Sequence, residues 1–285
     1  MGKVIGVYNR KGGVGKTTCC FNIAAQMAKN GKKVLLLDGD SQTNMTLMIY
    51  RGNDSIFDER AKIRDDVITI ADILKEESPV EDAIRELTFE HEWSKMVRSG
   101  KKMIRKTFSA ECSFDFVPGS KDLVYYSNDN LDSLQKALNP VRDEYDYIFV
   151  EFPPSFDLAT LTYLIACDYV AVPLRILEEA STNGYNDLLD RIQEAHEAGS
   201  SVEILGLFYN FVHNNWKSHT EWCEMSVDPA YQEEGTFFKT HIRQIDSTVQ
   251  YSTLLQKPLC ICAAEEPITK DFENLCKEIE ERVYG

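Results

Sequence analysis

A glycine-rich loop between a strand and a helix constrains this chain more than any other feature. Residues 11 to 18 read Lys11-Gly12-Gly13-Val14-Gly15-Lys16-Thr17-Thr18. The apolar run Val4-Ile5-Gly6-Val7-Tyr8 before them predicts a buried strand, and Cys19 to Ala28 carries a helical pattern. Strand, glycine-rich loop and helix are the context a phosphate-binding loop requires. Glycines let successive N–H groups converge on phosphate oxygens, and the positive end of the helix adds to their pull. In such a loop Lys16 supplies a point charge for the β- and γ-phosphates. Thr17 offers a hydroxyl to Mg²⁺, which takes hard oxygen ligands. Two features are unusual. Arg10 stands where the common pattern has a glycine, six residues before the lysine, and a second lysine, Lys11, opens the loop.

The 285 residues suffice for one large domain or two small ones, and a hydrophobic content of 43% gives material for a sizeable core. No apolar stretch approaches the roughly 20 residues of a membrane span. The longest, Tyr163 to Leu174, is interrupted by Asp168. The N-terminus opens on a strand without a signal-peptide layout. Eight cysteines are scattered without a C-x-x-C pair, which argues against a zinc or redox site and for reduced cytosolic thiols. A net charge of −15 opposes tight nonspecific binding to DNA unless a local basic patch overrides it.

Short continuous apolar runs at 34–37, 114–117, 147–150, 169–172 and 204–209 read as buried strands. Helix candidates lie at about 131–144, 157–167 and 179–198. The alternation predicts an α/β fold, a mostly parallel doubly wound sheet with helices on both faces and ligands beyond the carboxyl ends of its strands. Between Ser94 and Thr107 the chain carries Lys95, Arg98, Lys101, Lys102, Arg105 and Lys106 and no acid. Lys95, Arg98, Lys102 and Arg105 recur at spacings of three and four, so a basic amphipathic helix is expected there. It reads as a solvated surface helix, a contact for DNA or an acidic partner, or a membrane-surface helix.

The loop KGGVGKTT resembles the deviant Walker A motif of the ParA/MinD family of P-loop ATPases. Asp38-Gly39-Asp40-Ser41-Gln42-Thr43-Asn44 is similar to that family's DxDPQGN segment. Tyr145 to Pro154 is similar to its Walker B segment YDYIIIDTPP, with Glu151 and Phe152 in place of aspartate and threonine. Gly206-Leu207-Phe208-Tyr209-Asn210 matches a strand ending in an asparagine. The segments 238–242 and 256–259 resemble the late TxIPR and GKPI motifs, with Arg243 and Gln244 replacing the proline and arginine.

The resemblance implies one P-loop ATPase domain over 1–285, with a basic helical insertion at about 90–112. It implies ATP held by residues 11–18 (Lys11, Gly12, Gly13, Val14, Gly15, Lys16, Thr17 and Thr18), with the amide of Asn210 reading adenine. Mg²⁺ is expected at Thr17, Asp38 and Glu151. Lys11 is expected to reach the phosphates of a second subunit in an ATP-bound homodimer, and Asp40 to polarise the attacking water beside Lys16. Implied partners are nonspecific DNA and a ParB-like adaptor, in the cytoplasm on a nucleoid or plasmid. A MinD-like membrane positioning ATPase, an iron–sulfur electron carrier and a nucleotide-dependent scaffold with negligible turnover are the alternatives. The carrier lacks a cysteine soon after Glu151, and the tail helix at 271–283 has an acidic polar face that anionic lipid would repel.

Overall fold

The computed structural model describes residues 1–50, 56–57, 62–99, 102–127, 130–155, 157–175, 179–213 and 236–285, with α7 traced by its backbone alone at 179–184 and 186. Seven strands form one sheet: β1 (Lys3–Val7), β2 (Val34–Asp38), β3 (Arg85–Ser99), β4 (Lys102–Val117), β5 (Tyr147–Glu151), β6 (Tyr169–Arg175) and β7 (Glu203–Asn210). Their spatial order is β3-β4-β2-β5-β1-β6-β7. All neighbours pair in parallel except β3 and β4, which form an antiparallel hairpin. The central strands are buried on both faces, hence their continuous apolar sequences.

The main helices are α1 (Lys16–Lys29), α2 (Asn44–Tyr50), α3 (Ile70–Leu74), α4 (Val80–Ala83), α5 (Ser133–Leu138), α6 (Leu158–Ala166), α7 (Glu179–Glu197), α8 (Asp246–Leu255), α9 (Leu259–Cys262) and α10 (Pro267–Tyr284). One core joins Val4, Leu35, Leu37, Ile148, Val150 and Val172 to α3, α5, α6 and α7. On the opposite face Ile5, Val7, Leu36, Phe149 and Phe208 meet α1, α2, α9 and α10. The expected helix at 131–144 stops at Leu138, because Pro140 offers no N–H to continue it, and resumes as a short 3₁₀ turn at Arg142–Glu144.

The basic helix expected at about 90–112 is not a helix. The described residues of that span lie in β3 and β4, paired in antiparallel register from Arg85↔Phe116 to Ser99↔Lys102. Lys101 falls outside the described residues. The cations at three- and four-residue spacings sit on two strands, not on one helical face. The governing period is two. Leu87, Phe89, Trp93 and Val97 turn toward one side, while Glu86, Thr88, Glu90 and Glu92 turn outward. Aromatic and branched residues (Phe89, Trp93, Val97, Ile104, Phe108) favour the pleated form. The run at 114–117 is the end of this longer strand rather than a strand of its own.

The C-terminal helix α10 packs on α1, with Phe272, Leu275, Ile279 and Val283 buried. Its last turn is pinned by Arg282. That guanidinium lies 3.9 Å from the centroid of the Phe238 ring and donates to the carbonyls of Leu205 and Phe237, at 2.9 and 2.6 Å. Space for it exists because residue 206 is glycine, beside a register shift in the β6–β7 ladder. Gly206 has φ +149, and a Cβ there would lie 2.3 Å from Arg282 Nη1 and 2.8 Å from the Phe238 ring. Gly206→Ala is therefore expected to destabilise the fold by about 1–3 kcal/mol through overpacking. A urea titration would register this as a lower midpoint at an unchanged slope.

Candidate nucleotide site

Parallel register assembles the site. Glu151 pairs with Val7 on one side and with Asp38 on the other. The loop that follows β1 therefore opens beside two carboxylates at the carboxyl ends of adjacent strands. Within the loop, the N–H of Lys11 donates to Asn9 Oδ1 at 2.8 Å, and Asn9 Nδ2 donates to the Pro173 carbonyl at 2.9 Å. Asn9 thus fixes the loop to β6. Arg10 forms an ion pair with Asp187 of α7. Gly13 and Gly15 adopt φ +79 and +90, where a side chain would strain the backbone. A Cβ on Gly15 would also meet Asn210 Nδ2 at 2.3 Å. The first turn of α1 has no side-chain cap and no acidic residue, which leaves its N–H groups for an anion.

Lys16 is buried and donates to the carbonyls of Asn9 and Lys11, at 2.9 and 3.3 Å. Burial lowers its proton affinity, and Glu151 and Asp40 oppose that shift. Lys11, Gly12 and Gly13 are exposed at the loop's mouth, whereas Val14 is buried. Thr17 donates its hydroxyl to Glu151 Oε1, and Thr18 lines the neighbouring cleft.

Glu151 is fully buried. Its Oε2 has no hydrogen-bond partner among the described residues. Burial first, then the charge of Asp38, push its pKa well up, with the Thr17 hydroxyl pulling the other way. Asp38 accepts from the N–H and hydroxyl of Thr46, at 2.8 and 2.6 Å, and from the N–H of Asp40 at 3.3 Å. Burial dominates there too and raises its pKa to about 6. Asp40 accepts from the N–H of Gln42 at 2.9 Å. Its pKa is raised by burial and pulled back by that hydrogen bond and by Lys16. No three His, Cys, Asp or Glu side chains among the described residues make a metal cage. A glutamate oxygen with no partner, beside a threonine hydroxyl and below an anion-binding helix end, fits Mg²⁺ instead, since Mg²⁺ keeps waters and phosphate oxygens in its shell. Asp38 lies next to this point, but its oxygens are already held by Thr46 and the backbone.

Phe152, where the similar motif has threonine, turns into the core. It makes edge contacts with Tyr8 and Tyr163 at 5.7 and 5.3 Å, and Gly6 makes room for it: a Cβ on Gly6 would lie 2.7 Å from the ring. Asn210 is also buried. Its Nδ2 donates to the Val14 carbonyl at 2.9 Å and its Oδ1 accepts from the N–H of Phe211 at 2.9 Å, so it latches β7 to the loop. Phe211 holds φ +59, unusual for an aromatic residue, with the Arg175 guanidinium 5.2 Å from its ring centroid. Beside them opens a cleft of about 140 Å³ lined by Thr18, Asn210, Phe211, Ile242, Ile245 and Phe272 among others.

Sequence reasoning missed Asn9, Thr46 and Phe211. Asn9 borders the loop and Thr46 follows Asp40 by six residues, but only tertiary structure links Thr46 to Gly119, whose N–H donates to its hydroxyl at 2.8 Å. Thr46→Val would leave the Gly119 N–H unpaired and Asp38 with one hydrogen bond fewer. The expected loss is about 2–3 kcal/mol, largely restored by Thr46→Ser, with denaturant unfolding as the measurement.

The family model described as AAA domain matches residues 2–204. The chain is 30% identical over 212 residues to the chromosome-partitioning ATPase Soj of Treponema pallidum, covering 73% of this chain and 71% of that protein. It is 28% identical over 285 residues to a virulence-plasmid ParA family protein of Chlamydia psittaci, covering 99% and 96%. A putative plasmid partition protein of Borrelia burgdorferi bound to AMPPNP superposes with a TM-score of 0.71 at 19% identity, covering 99% and 100%. A cobyrinic acid a,c-diamide synthase of Mycobacterium smegmatis, with bound ATP analog and magnesium, has a TM-score of 0.73 at 19% identity, covering 100% and 96%. The strand–loop–helix site and these matches lead to one conclusion: the chain belongs to the AAA domain family and, within it, to the ParA-type P-loop ATPases.

Proposed function

We propose that the protein is a ParA-like ATPase whose ATP-bound form is a sandwich dimer and whose hydrolysis of ATP drives the partition or positioning of DNA. The observation that carries this reading is the second lysine. Asn9 holds the main chain of Lys11 while its side chain stands exposed at the mouth of the loop. Lys16, by contrast, is buried within the same loop. One amine is arranged to serve the loop's own phosphates, and the other is available to a facing subunit. A charge delivered from a second copy makes the complete site depend on association, as an arginine finger does.

In this reading the N–H groups of residues 12–18 and the Lys16 ammonium bind and orient the triphosphate. Thr17 and Glu151 would hold Mg²⁺, which would neutralise charge on the phosphates. Asp40, next to Lys16, orients a water and accepts its proton. Phosphoryl transfer needs alignment and charge stabilisation above all, and these groups supply both. The cleft beside Asn210 and Phe211 combines apolar walls from Phe211, Ile242 and Phe272 with polar side chains such as Thr18 and Gln244, a mixture that suits a purine ring. DNA and a ParB-like adaptor are the partners this reading implies. A MinD-like use of the tail as a membrane anchor is disfavoured, because the apolar face of α10 is already buried against α1.

Lys16→Ala is expected to weaken ATP binding by about 10–100-fold, read by equilibrium dialysis. Lys11→Ala is expected to bind ATP normally and to remain monomeric. Sedimentation velocity with ATP and Mg²⁺ is the measurement, and dimers of undiminished strength in that variant would remove the second-subunit role. Phosphate release in the presence of DNA distinguishes a working ATPase from a nucleotide-dependent scaffold.

A further inference from the structure

The β3–β4 hairpin has a property that folding does not require. Antiparallel pairing puts directly opposed residues on one face. Along one face run the pairs Glu86/Asp115, Glu90/Glu111 and Glu92/Ser109, then Met96/Arg105 and Arg98/Met103. The other face carries Leu87/Phe114 and Phe89/Cys112, then Trp93/Phe108, Lys95/Lys106 and Val97/Ile104. The sign of the charge therefore switches along the ribbon. The root is acidic, and beyond Trp93 every described charged residue up to Phe108 is basic, in a chain of net charge −15.

The root is well anchored. Phe89, Phe114 and Phe21 of α1 pack together, Lys257 donates to the Glu90 carbonyl, and Lys95 pairs with Glu265. Residues 96–99 and 102–105 extend past these anchors by roughly 13 Å, at about 3.3 Å per residue. At that end Met96, Met103 and Ile104 are 56%, 58% and 44% exposed. Strand register fixes the direction. Residues 115–117 of β4 pair with 35–37 of β2, so the earlier residues of β4 run out beyond the start of the sheet, at the end opposite the nucleotide loop.

Like charges directly opposed, as Lys95 and Lys106 are, oppose strand pairing. Surface lysines do protect an exposed ribbon from aggregation, but that role calls neither for Arg98 and Arg105 nor for the exclusion of every acid from residues 94–107 of an acidic chain. We propose that this hairpin is an arm that binds double-stranded DNA, its cationic tip entering a groove and its acidic root holding the phosphates off the body of the protein. A two-stranded ribbon fits the major groove. Cations on both faces, Arg98 and Arg105 on one and Lys102 and Lys106 on the other, suit a groove with phosphates along both walls better than a flat acidic protein met by one face. Exposed methionines and Ile104 give the tip an apolar surface for base edges.

The inference rests on the partition reading for its use of DNA, but the contact itself needs no nucleotide, and the test exploits this. The anisotropy of a short fluorescent duplex is followed across a salt series without nucleotide, using the intact protein. Replacing Arg98, Lys102 and Arg105 together by alanine is expected to reduce the slope of log K against log salt by about 2.7, at about 0.9 per cation. Arg98→Lys with Arg105→Lys should keep the slope, and circular dichroism verifies that each variant is folded. Failure of the intact protein to bind duplex at low salt, or an unchanged slope in the triple variant, would overturn the proposal. So would binding to polyglutamate as tight as binding to duplex. Lys16→Ala should retain the arm-dependent binding. If the intact protein bound no ATP yet kept this contact, the ATPase reading would fail and the arm would stand.

Discussion

The parallel pairing of β2, β5 and β1 sets the chemistry of this protein. Because Asp38, Glu151 and Val7 are register neighbours, the ends of three strands bring two carboxylates and the phosphate loop into one buried volume. Asp40 adds a third carboxylate, and the buried cation beside them is Lys16. Taking carboxylates out of water is unfavourable unless they are paired. Thr46, Thr17 and backbone N–H groups partly answer them, and the remainder appears as raised proton affinity at Asp38 and Glu151. An anionic cluster of this kind, below a helix end that attracts anions, is complementary to an ion pair of opposite order: a divalent cation carried on a polyphosphate. In the proposed reading, the cation's ligands lie beneath and the phosphate's ligands above.

The departures from the ParA-type motif at the end of β5, Glu151 and Phe152, have different consequences. Phe152 is compensated locally, because Gly6 vacates the volume the ring occupies and Tyr8 and Tyr163 close around it. It belongs to the core and leaves the site's polar groups alone. Glu151 changes the site itself. Its carboxylate meets the Thr17 hydroxyl directly. Strand end and helix start are thereby joined through a buried hydrogen bond, which a cation would have to share or replace.

Much of this was legible in the sequence, for a physical reason. The loop, Asp38, Asp40 and Glu151 sit at strand ends, and buried parallel strands announce themselves as short apolar runs at 34–37 and 147–150. The position of α10 was legible too, since Phe272, Leu275, Ile279 and Val283 recur at helical spacing. The hairpin was not. Its cations happened to fall at three- and four-residue intervals, which mimic a helix, while the alternation of Phe89, Trp93 and Val97 with polar residues carried the true period. Long-range polar contacts were equally hidden. Neither Thr46 with Gly119 nor Arg282 with the Leu205 carbonyl has a local signature, because each joins segments separated by tens of residues. Asn210 was found as a strand-end residue, yet its amide engages the Val14 carbonyl, a partner that only the folded loop supplies.

The arm and the nucleotide loop lie at opposite ends of the sheet, and this separation bears on how they would communicate. Phe21 packs on Phe89 and Phe114, and Lys29 and Asn22 of the same helix bond to α9, so α1 and the hairpin root form one closely packed unit. A rigid link of this kind is poorly suited to carrying a change of shape from the phosphates to the tip. Association achieves the same end without one. If two subunits close on each other at their nucleotide faces, symmetry sends the arms outward in opposite directions. One particle then offers two separate contacts for DNA, and the second engages at the effective concentration set by the first. Retention on DNA would rise with dimer formation and fall with its loss, although neither arm alters its own affinity. Control by nucleotide would then lie in the number of arms per particle, not in the structure of either arm.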